Sequence, residues 1–341
     1  MSKINRLLVI ALLLQIVILA AVSFAREEPK VLAPSRVFPD LVSDKVTKIE
    51  VTGDAGNAGA AADAAPSLKT VVLEKQGTTW GVAGADGYPA DATKIDTFLK
   101  NVEKVKASGA VVSSESYFKK LEVADDKFQR KVSLTVDGKP VTFLLGSSPS
   151  FKRIHLRKAG EKDVVVVEGL TAWDVGFRAS DWVDRNYLKV PEADIWAVTL
   201  KNSKGTIQLE KSPSGEWAMA GLKPGQALKK TSVDDVVRKI ATVTLEEPLG
   251  KTLKPEYGLD APITTVTMVT GTSTIPGTPP PTTTTETLVI GKKASEGNQY
   301  YVKASSKDYV VAAPGWALEP LTTKATADLL DTPPAAPTPP K

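Results

Sequence analysis

The sequence predicts an α+β protein. It reads as two tandem modules of mainly antiparallel sheet, each with one amphipathic helix plus a short closing helix, preceded by one transmembrane helix. Three observations predict this. An apolar run opens the chain, a set of helix and strand landmarks recurs about 138 residues apart, and the strands are short and joined by hairpin signals.

The apolar run, Leu7 to Ala25, is 19 residues long and holds Gln15 as its one strongly polar member. As a helix it reaches roughly 28 Å at ~1.5 Å per residue, close to the ~30 Å hydrocarbon core. Lys3 and Arg6 precede it, while Glu27 and Glu28 follow Arg26. The positive-inside rule then puts residues 1–6 in the cytoplasm and the rest beyond the inner membrane, on the periplasmic or extracytoplasmic side. Two readings stay open: a retained single-pass signal anchor, or a secretory signal peptide cleaved after Ser23-Phe24-Ala25. Both export the chain, and residues 26–44 then form a linker.

The repeat is clearest in its helix. Ile95, Phe98, Leu99, Val102 and Val105 mark one helical face, and Val233, Val236, Val237, Ile240 and Val243 repeat that spacing 138 residues on. Leu121 and Leu259 keep the same offset. Leu73-Glu74-Lys75 with Trp80 matches Leu209-Glu210-Lys211 with Trp217 at offsets of 136 and 137. Leu144-Leu145-Gly146 answers Val289-Ile290-Gly291, and His155-Leu156-Arg157 answers Tyr301-Val302-Lys303.

Each copy opens with two β-prone runs, Val46–Thr52 with Leu68–Lys75 and Ile195–Lys201 with Thr206–Lys211. The helix follows, then further strands such as Lys131–Val136, Val141–Leu145, His155–Lys158 and Asp163–Val167. Asp137-Gly138 is a strong hairpin turn. Closing helical segments are expected around Leu170–Trp182 and Trp316–Leu330. Asp54–Ser67 reads as an inserted loop. Gly271–Thr285 reads as a Pro/Thr-rich hairpin loop at the place that Asp137-Gly138 holds in the first copy. The modules are drawn at 45–190 and 191–330, with a Pro-rich disordered tail over 331–341.

Further landmarks carry a resemblance. Tyr88-Pro89-Ala90-Asp91 opens the first helix, and Pro255-Glu256-Tyr257-Gly258-Leu259 with Ala261-Pro262 leads into a strand. A strand ending in Leu-Gly and a Tyr-Val-Lys strand complete the order. The chain resembles the DUF4340 family over about residues 45–330, in two copies. The first copy departs from the signature, having Lys119-Lys120-Leu121 with Val123-Ala124. The resemblance implies a membrane-anchored protein beside ABC-type exporter subunits, with a gliding-type permease or its auxiliary subunit as partner. The landmarks themselves have structural readings. Asp91 or Thr93 caps a helix, Gly258 permits a positive φ, and Pro262 fixes the entry to a strand.

Composition narrows the chemistry. The chain has no Cys and one His, His155, which removes thiol catalysis, disulfides, Cys-based zinc sites and any pair of His ligands. Net charge is +4, or +2 without Lys3 and Arg6, too little to argue for nucleic acid. His155 reads as an ordinary strand residue. Gly81, Gly84 and Gly87 imitate a phosphate loop, but no Lys-Ser/Thr follows them and Asp91 at the helix start repels phosphate. Asp125-Asp126, Asp234-Asp235 and Glu246-Glu247 read as solvated turns and helix faces. Lys152-Arg153 and Arg157-Lys158 read as a solvated strand edge. Trp80 and Trp217 suit packing in the core or at a sheet edge, with ligand stacking as the functional alternative. No catalytic, cofactor or metal site is assembled.

Phe177, Arg178, Trp182 and Arg185 end the first copy with aromatics and charge, and are the candidate partner-binding residues. The expected function is that of a non-enzymatic, membrane-anchored accessory protein docking a transport or envelope complex. The alternative is a periplasmic or secreted ligand-binding protein that uses the groove between the modules.

Overall fold

The structure, a computed structural model, describes residues 10–19, 33–56, 67–212, 214–273, 278, 280–295 and 297–331. A helix, α1, covers 10–19. In the first half, β1 (Ser35–Arg36), β2 (Val46–Asp54), β3 (Leu68–Gln76), β4 (Thr79–Val82) and β5 (Tyr88–Pro89) precede α2 (Ala92–Lys104). Then come β6 (Lys106–Ala107), β7 (Ala110–Val112) and a small hairpin of β8 (Val123–Ala124) and β9 (Lys127–Phe128). They are followed by β10 (Arg130–Val136), β11 (Lys139–Leu145), β12 (Arg153–Lys158) and β13 (Val164–Glu168). The second half opens with β14 (Asn186–Lys189), β15 (Ile195–Asn202), β16 (Gly205–Lys211), β17 (Trp217–Met219) and α3 (Lys230–Ala241). It continues with β18 (Thr242–Thr244), β19 (Glu247–Gly250), β20 (Thr264–Thr270), β21 (Thr284–Lys293), β22 (Gln299–Ala304), β23 (Val310–Pro314) and α4 (Gly315–Thr323).

One sheet runs β5-β4-β3-β2-β10-β11-β12-β13-β7, the other β17-β16-β15-β20-β21-β22-β23-β19. Every pairing in both is antiparallel. Without β5 the two orders are the same, strand for strand. The satellite pairs match too: β1 pairs with β6 and β14 with β18. Asn186–Lys189 therefore joins the second half through its pairing, ahead of residue 191.

Local chemistry explains the elements. Asp91 caps α2 by accepting from the backbone N–H groups of Thr93 and Lys94 at 3.0 and 3.2 Å. The helix buries Ile95, Phe98, Leu99 and Val102, and α3 buries Val233, Val236, Val237 and Ile240. Each of these side chains contributes about 1.5–3 kcal/mol by leaving water. Asp137 and Gly138, at φ 48° and 78°, form the two-residue turn between β10 and β11. In β2 a register shift opposite Val136 lets Val46 and Ile49, three residues apart, both face inward. The helices and the inner faces of both sheets share one continuous hydrophobic core. A second small cluster of Phe118, Val123, Ala124, Leu144 and Val164 lies under the β8–β9 hairpin. There Phe143, Leu144 and Leu145 are all buried, because the hairpin covers the outer face of β11.

Several expectations need correction. The transmembrane helix is the largest. Within Leu7–Ala25 the described helix is α1, over 10–19. No helix among the described residues is long and apolar enough to cross a membrane. Residues 7–9 and 20–25 lie outside the described residues, as do the expected cytoplasmic segment 1–6, positions 26–32 of the linker, positions 57–66 of the Asp54–Ser67 loop and the tail from 332. The single-pass inner-membrane placement, the membrane as partner and the anchored docking to an ABC-type permease or its auxiliary subunit are withdrawn with that helix.

The closing segment of the first half is also not a helix. It is two separate 3-10 turns, Ala172–Asp174 and Ala179–Asp181, the second entered through the extended Arg178. Asp174 accepts from the Thr171 N–H at 2.8 Å and hydroxyl at 2.6 Å, which closes a single turn. In the second half α4 is followed by the 3-10 turn Thr326–Leu329. Strand β12 lies inside its sheet, between β11 and β13, so Arg157 is not on a solvated edge. It is 3% exposed and gives hydrogen bonds to Val123 O, Glu161 O and Asp125 at 2.7, 3.1 and 2.7 Å.

The Leu121–Leu259 pairing shifts by two residues. Glu122 and Gly258 both have positive φ, 57° and 61°. A Cβ on Gly146 would strike the Leu121 carbonyl and Val123, and one on Gly291 would strike the Tyr257 carbonyl and Leu259. The equivalent residues are therefore Leu121-Glu122-Val123 and Tyr257-Gly258-Leu259.

Candidate functional site

The two sheets meet along β4 and β5 of the first and β19 of the second. Asp86, at φ 51°, turns its carboxylate across to accept from the Lys251 N–H at 2.7 Å. Tyr309 reaches back: its hydroxyl donates to Gly87 O at 3.3 Å, and its ring meets Tyr88 edge-on at 4.8 Å. Beneath them Tyr187 is buried. It donates to Tyr309 O at 2.7 Å and accepts from the Ala304 N–H at 2.9 Å. Burial pushes the Tyr88 phenol up to about 12, with Asp184 and Tyr309 adding to the rise. Burial likewise raises Tyr187, against the pull of the Ala304 N–H.

Two cavities open beside this seam and share the wall 177–185. One, of about 730 Å³, lies between the start of α2, Arg130 and the closing turns of the first half. The other, of about 510 Å³, is lined from both sheets: Lys69 to Val72 of β3 on one side, Glu246 to Pro248 and Gln299 on the other. Phe177, Arg178, Ser180, Asp181 and Arg185 line both cavities. Their volumes fall in the range of small-molecule sites, ~300–1,000 Å³.

The ridge between the cavities is an aromatic ring held by two guanidinium groups. Arg130 lies 4.5 Å and Arg178 5.4 Å from the Phe177 ring centroid. Arg130 is fixed through Val175 O at 2.8 Å and Gln129 O at 2.6 Å. Burial lowers its pKa; Asp181 opposes that and Arg178 adds to it. Phe177 packs over Gly53, where a Cβ would sit 2.7 Å from the ring, so a small residue at 53 is required. Trp182 is buried below, giving its indole N–H to Gly176 O at 2.8 Å and meeting Phe98 edge-on at 5.3 Å. Arg185 spans the seam to Leu245 O at 3.3 Å and Lys94 donates to Asp181 O at 3.2 Å.

Charge on this ridge is unevenly satisfied. Among the described residues Lys69, Lys94, Arg130, Arg178 and Arg185 form no ion pair. Three of the nearby carboxylates are engaged by backbone: Asp91 by two N–H groups of α2, Asp174 by Thr171, and Asp181 by the Arg178 N–H at 3.0 Å. Across the groove Glu246 accepts from the Gln299 side chain at 2.7 Å, with Glu247 beside it.

The structure thus brings Phe177, Arg178 and Arg185 to the cavity walls, and places Trp182 beneath as a packed support. Sequence reading missed Arg130, Lys69 and the 92% exposed Trp173, which lie in strands and turns that carry no motif. A lone Gly in a strand, Gly53, was the one local signal that something approaches closely there.

The remaining candidates are structural. Trp80 pairs with Lys75 and Trp217 with Lys211 in equivalent strands, each indole under its lysine at 6.0 and 5.3 Å. The His155 ring nitrogen sits 2.7 Å from Ser147 O. Asp125, Asp126, Asp234 and Asp235 are in ion pairs with Arg157, Lys119, Lys230 and Arg238. No group of three or more metal-ligating side chains occurs among the described residues.

Comparison with protein families gives one match, to a domain of unknown function, DUF4340, at residues 80–262 and 252–335. The chain belongs to the DUF4340 family. The first match starts at Trp80 in β4, and the two share the turn around Tyr257-Gly258-Leu259, consistent with two tandem copies of the family. No curated protein and no solved structure is similar enough to match.

Proposed function

We propose that this DUF4340 protein is a non-enzymatic ligand-binding protein, and that its ligand sits in the groove between the two sheets with an oxyanion against the Phe177–Arg178 ridge. The observation that carries this is Arg178 and Arg185, without ion pairs among the described residues on the wall shared by two cavities and flanked by Lys69, Lys94 and Arg130, while Asp91, Asp174 and Asp181 beside them already accept backbone N–H groups. Arginine suits planar carboxylate and phosphate oxygens, and the exposed indole of Trp173 with the half-exposed Phe177 offers apolar area for the rest of a ligand. Binding rather than catalysis fits because Asp91, Asp174 and Asp181 serve as turn and helix caps, which holds them in place.

The test is calorimetric titration of the intact chain with phenyl phosphate, with inorganic phosphate for comparison. Phenyl phosphate binds more tightly than phosphate, and Arg178→Ala weakens it at least about tenfold. The thermal midpoint of that variant stays unchanged, because Arg178 is exposed. Equal binding by the wild type and Arg178→Ala would sink the proposal.

A further inference from the structure

The two copies differ at one sheet edge in a way that goes beyond the groove. In the first, β4 is covered by β5, with Gly81 opposite Pro89 and Val82 opposite Tyr88. The chain doubles back at Asp86 and Gly87, both at positive φ, and Ala90 donates to Trp80 O at 2.9 Å. In the second, β17 ends its sheet. The return segment there turns aside to the chain's closing residues: Lys229 donates to Leu329 O at 2.8 Å and Asp331 to Ala227 O at 2.9 Å.

The register fixes which groups are left open. The bonds from Ser212 to Glu216 O and from Ala220 to Gln208 O make Glu216, Ala218 and Ala220 the residues bonded to β16. The N–H and C=O groups of Trp217 and Met219 therefore point away from the sheet, as those of Trp80 and Val82 point toward β5. Beside them lies a cavity of about 380 Å³ walled by Trp217, Leu228 and Val233 together with Glu216, Lys230 and Asp234. Trp217 is half-buried there, where its counterpart Trp80 is 6% exposed.

We propose that the β17 edge is a peptide-docking site, at which an extended segment of another protein adds as an antiparallel strand and places an apolar side chain in the cavity beside Trp217. The first copy supplies the template, since its own Tyr-Pro segment does this to β4. Such strand addition draws affinity from main-chain bonds and specificity from a side-chain pocket.

The probe is a fluorescein-labelled peptide copying residues 85–91 of this chain, titrated by anisotropy against the intact protein. Binding is expected with a dissociation constant on the order of 100 µM. Met219→Pro removes an outward N–H without touching the β16 ladder, and weakens binding at least about tenfold. A peptide N-methylated at the position of Ala90 loses binding equally, with the protein unaltered. In the free protein the amides of Trp217 and Met219 exchange rapidly, and the peptide protects them. No binding at 1 mM peptide, on the order of tenfold above the expected constant, would overturn the proposal, as would equal binding of the plain and methylated peptides.

Discussion

The two sheets share a strand order, a helix position and a glycine that lets the turn before β10 or β20 cross over, yet they differ wherever a side chain is left to meet something else. The first half adds β5 over its edge strand, a β8–β9 hairpin braced by Arg157, and a pair of 3-10 turns carrying Trp173, Phe177 and Arg178. The second half has a regular closing helix and an open β17 edge instead. What is common to both is explained by packing and backbone geometry; what is particular to one gathers at the seam and at the open edge. Function in a duplicated fold is best sought in those differences.

The comparison can be broken most severely at the shared glycines. Gly146→Ala and Gly291→Ala each drive a methyl into a backbone carbonyl, so both are expected to cost about 2–4 kcal/mol in urea unfolding. A tolerated alanine at either position would end the equivalence of the two turns. Arg157 and Lys303 should then separate the halves. Arg157→Ala empties a buried place and leaves the Val123 carbonyl unpaired there, and costs about 1–3 kcal/mol. Lys303→Ala, half-exposed at the matching position, costs less than about 1 kcal/mol.

Tyr187→Phe removes a hydroxyl that both donates and accepts, leaving the Ala304 N–H unpaired, and is expected to cost about 1–3 kcal/mol. The smallest effect is a pH dependence at the seam. The folded-state pKa of Tyr88 is raised from 10.0 to about 12, so its half-buried neutral phenol contributes stability that is complete below pH 10 and is lost as pH rises through 12. Tyr88→Phe should flatten that alkaline decline in a pH series of urea midpoints.

Much of this was legible in the residues. The 3.6-residue spacing of Ile95 to Val102 and of Val233 to Ile240 marked both helices, and Asp137-Gly138 marked a hairpin whose φ values are both positive. Periodicity reports which face is buried, and these elements bury one face. It was silent on Leu144, whose second face is covered by a hairpin far away in sequence, and on Arg157, whose charge is satisfied by carbonyls that no motif announces. Apolar composition at the N-terminus suggested a span that the described helix does not make. Phe177 and Arg178 could be picked out by their type, but Arg130, 47 residues earlier, joins them only through the closing turns folding back over β10. Contacts of that kind depend on topology, which a local pattern does not encode.

The central claim is that both sheets contribute to one groove, and hydrogen exchange with and without saturating phenyl phosphate tests it most directly. The account predicts slowed exchange on both walls, in 69–72 and 177–185 of the first half and in 246–248 with Gln299 of the second. Protection confined to one sheet, or falling away from the Phe177–Arg178 ridge, would contradict it.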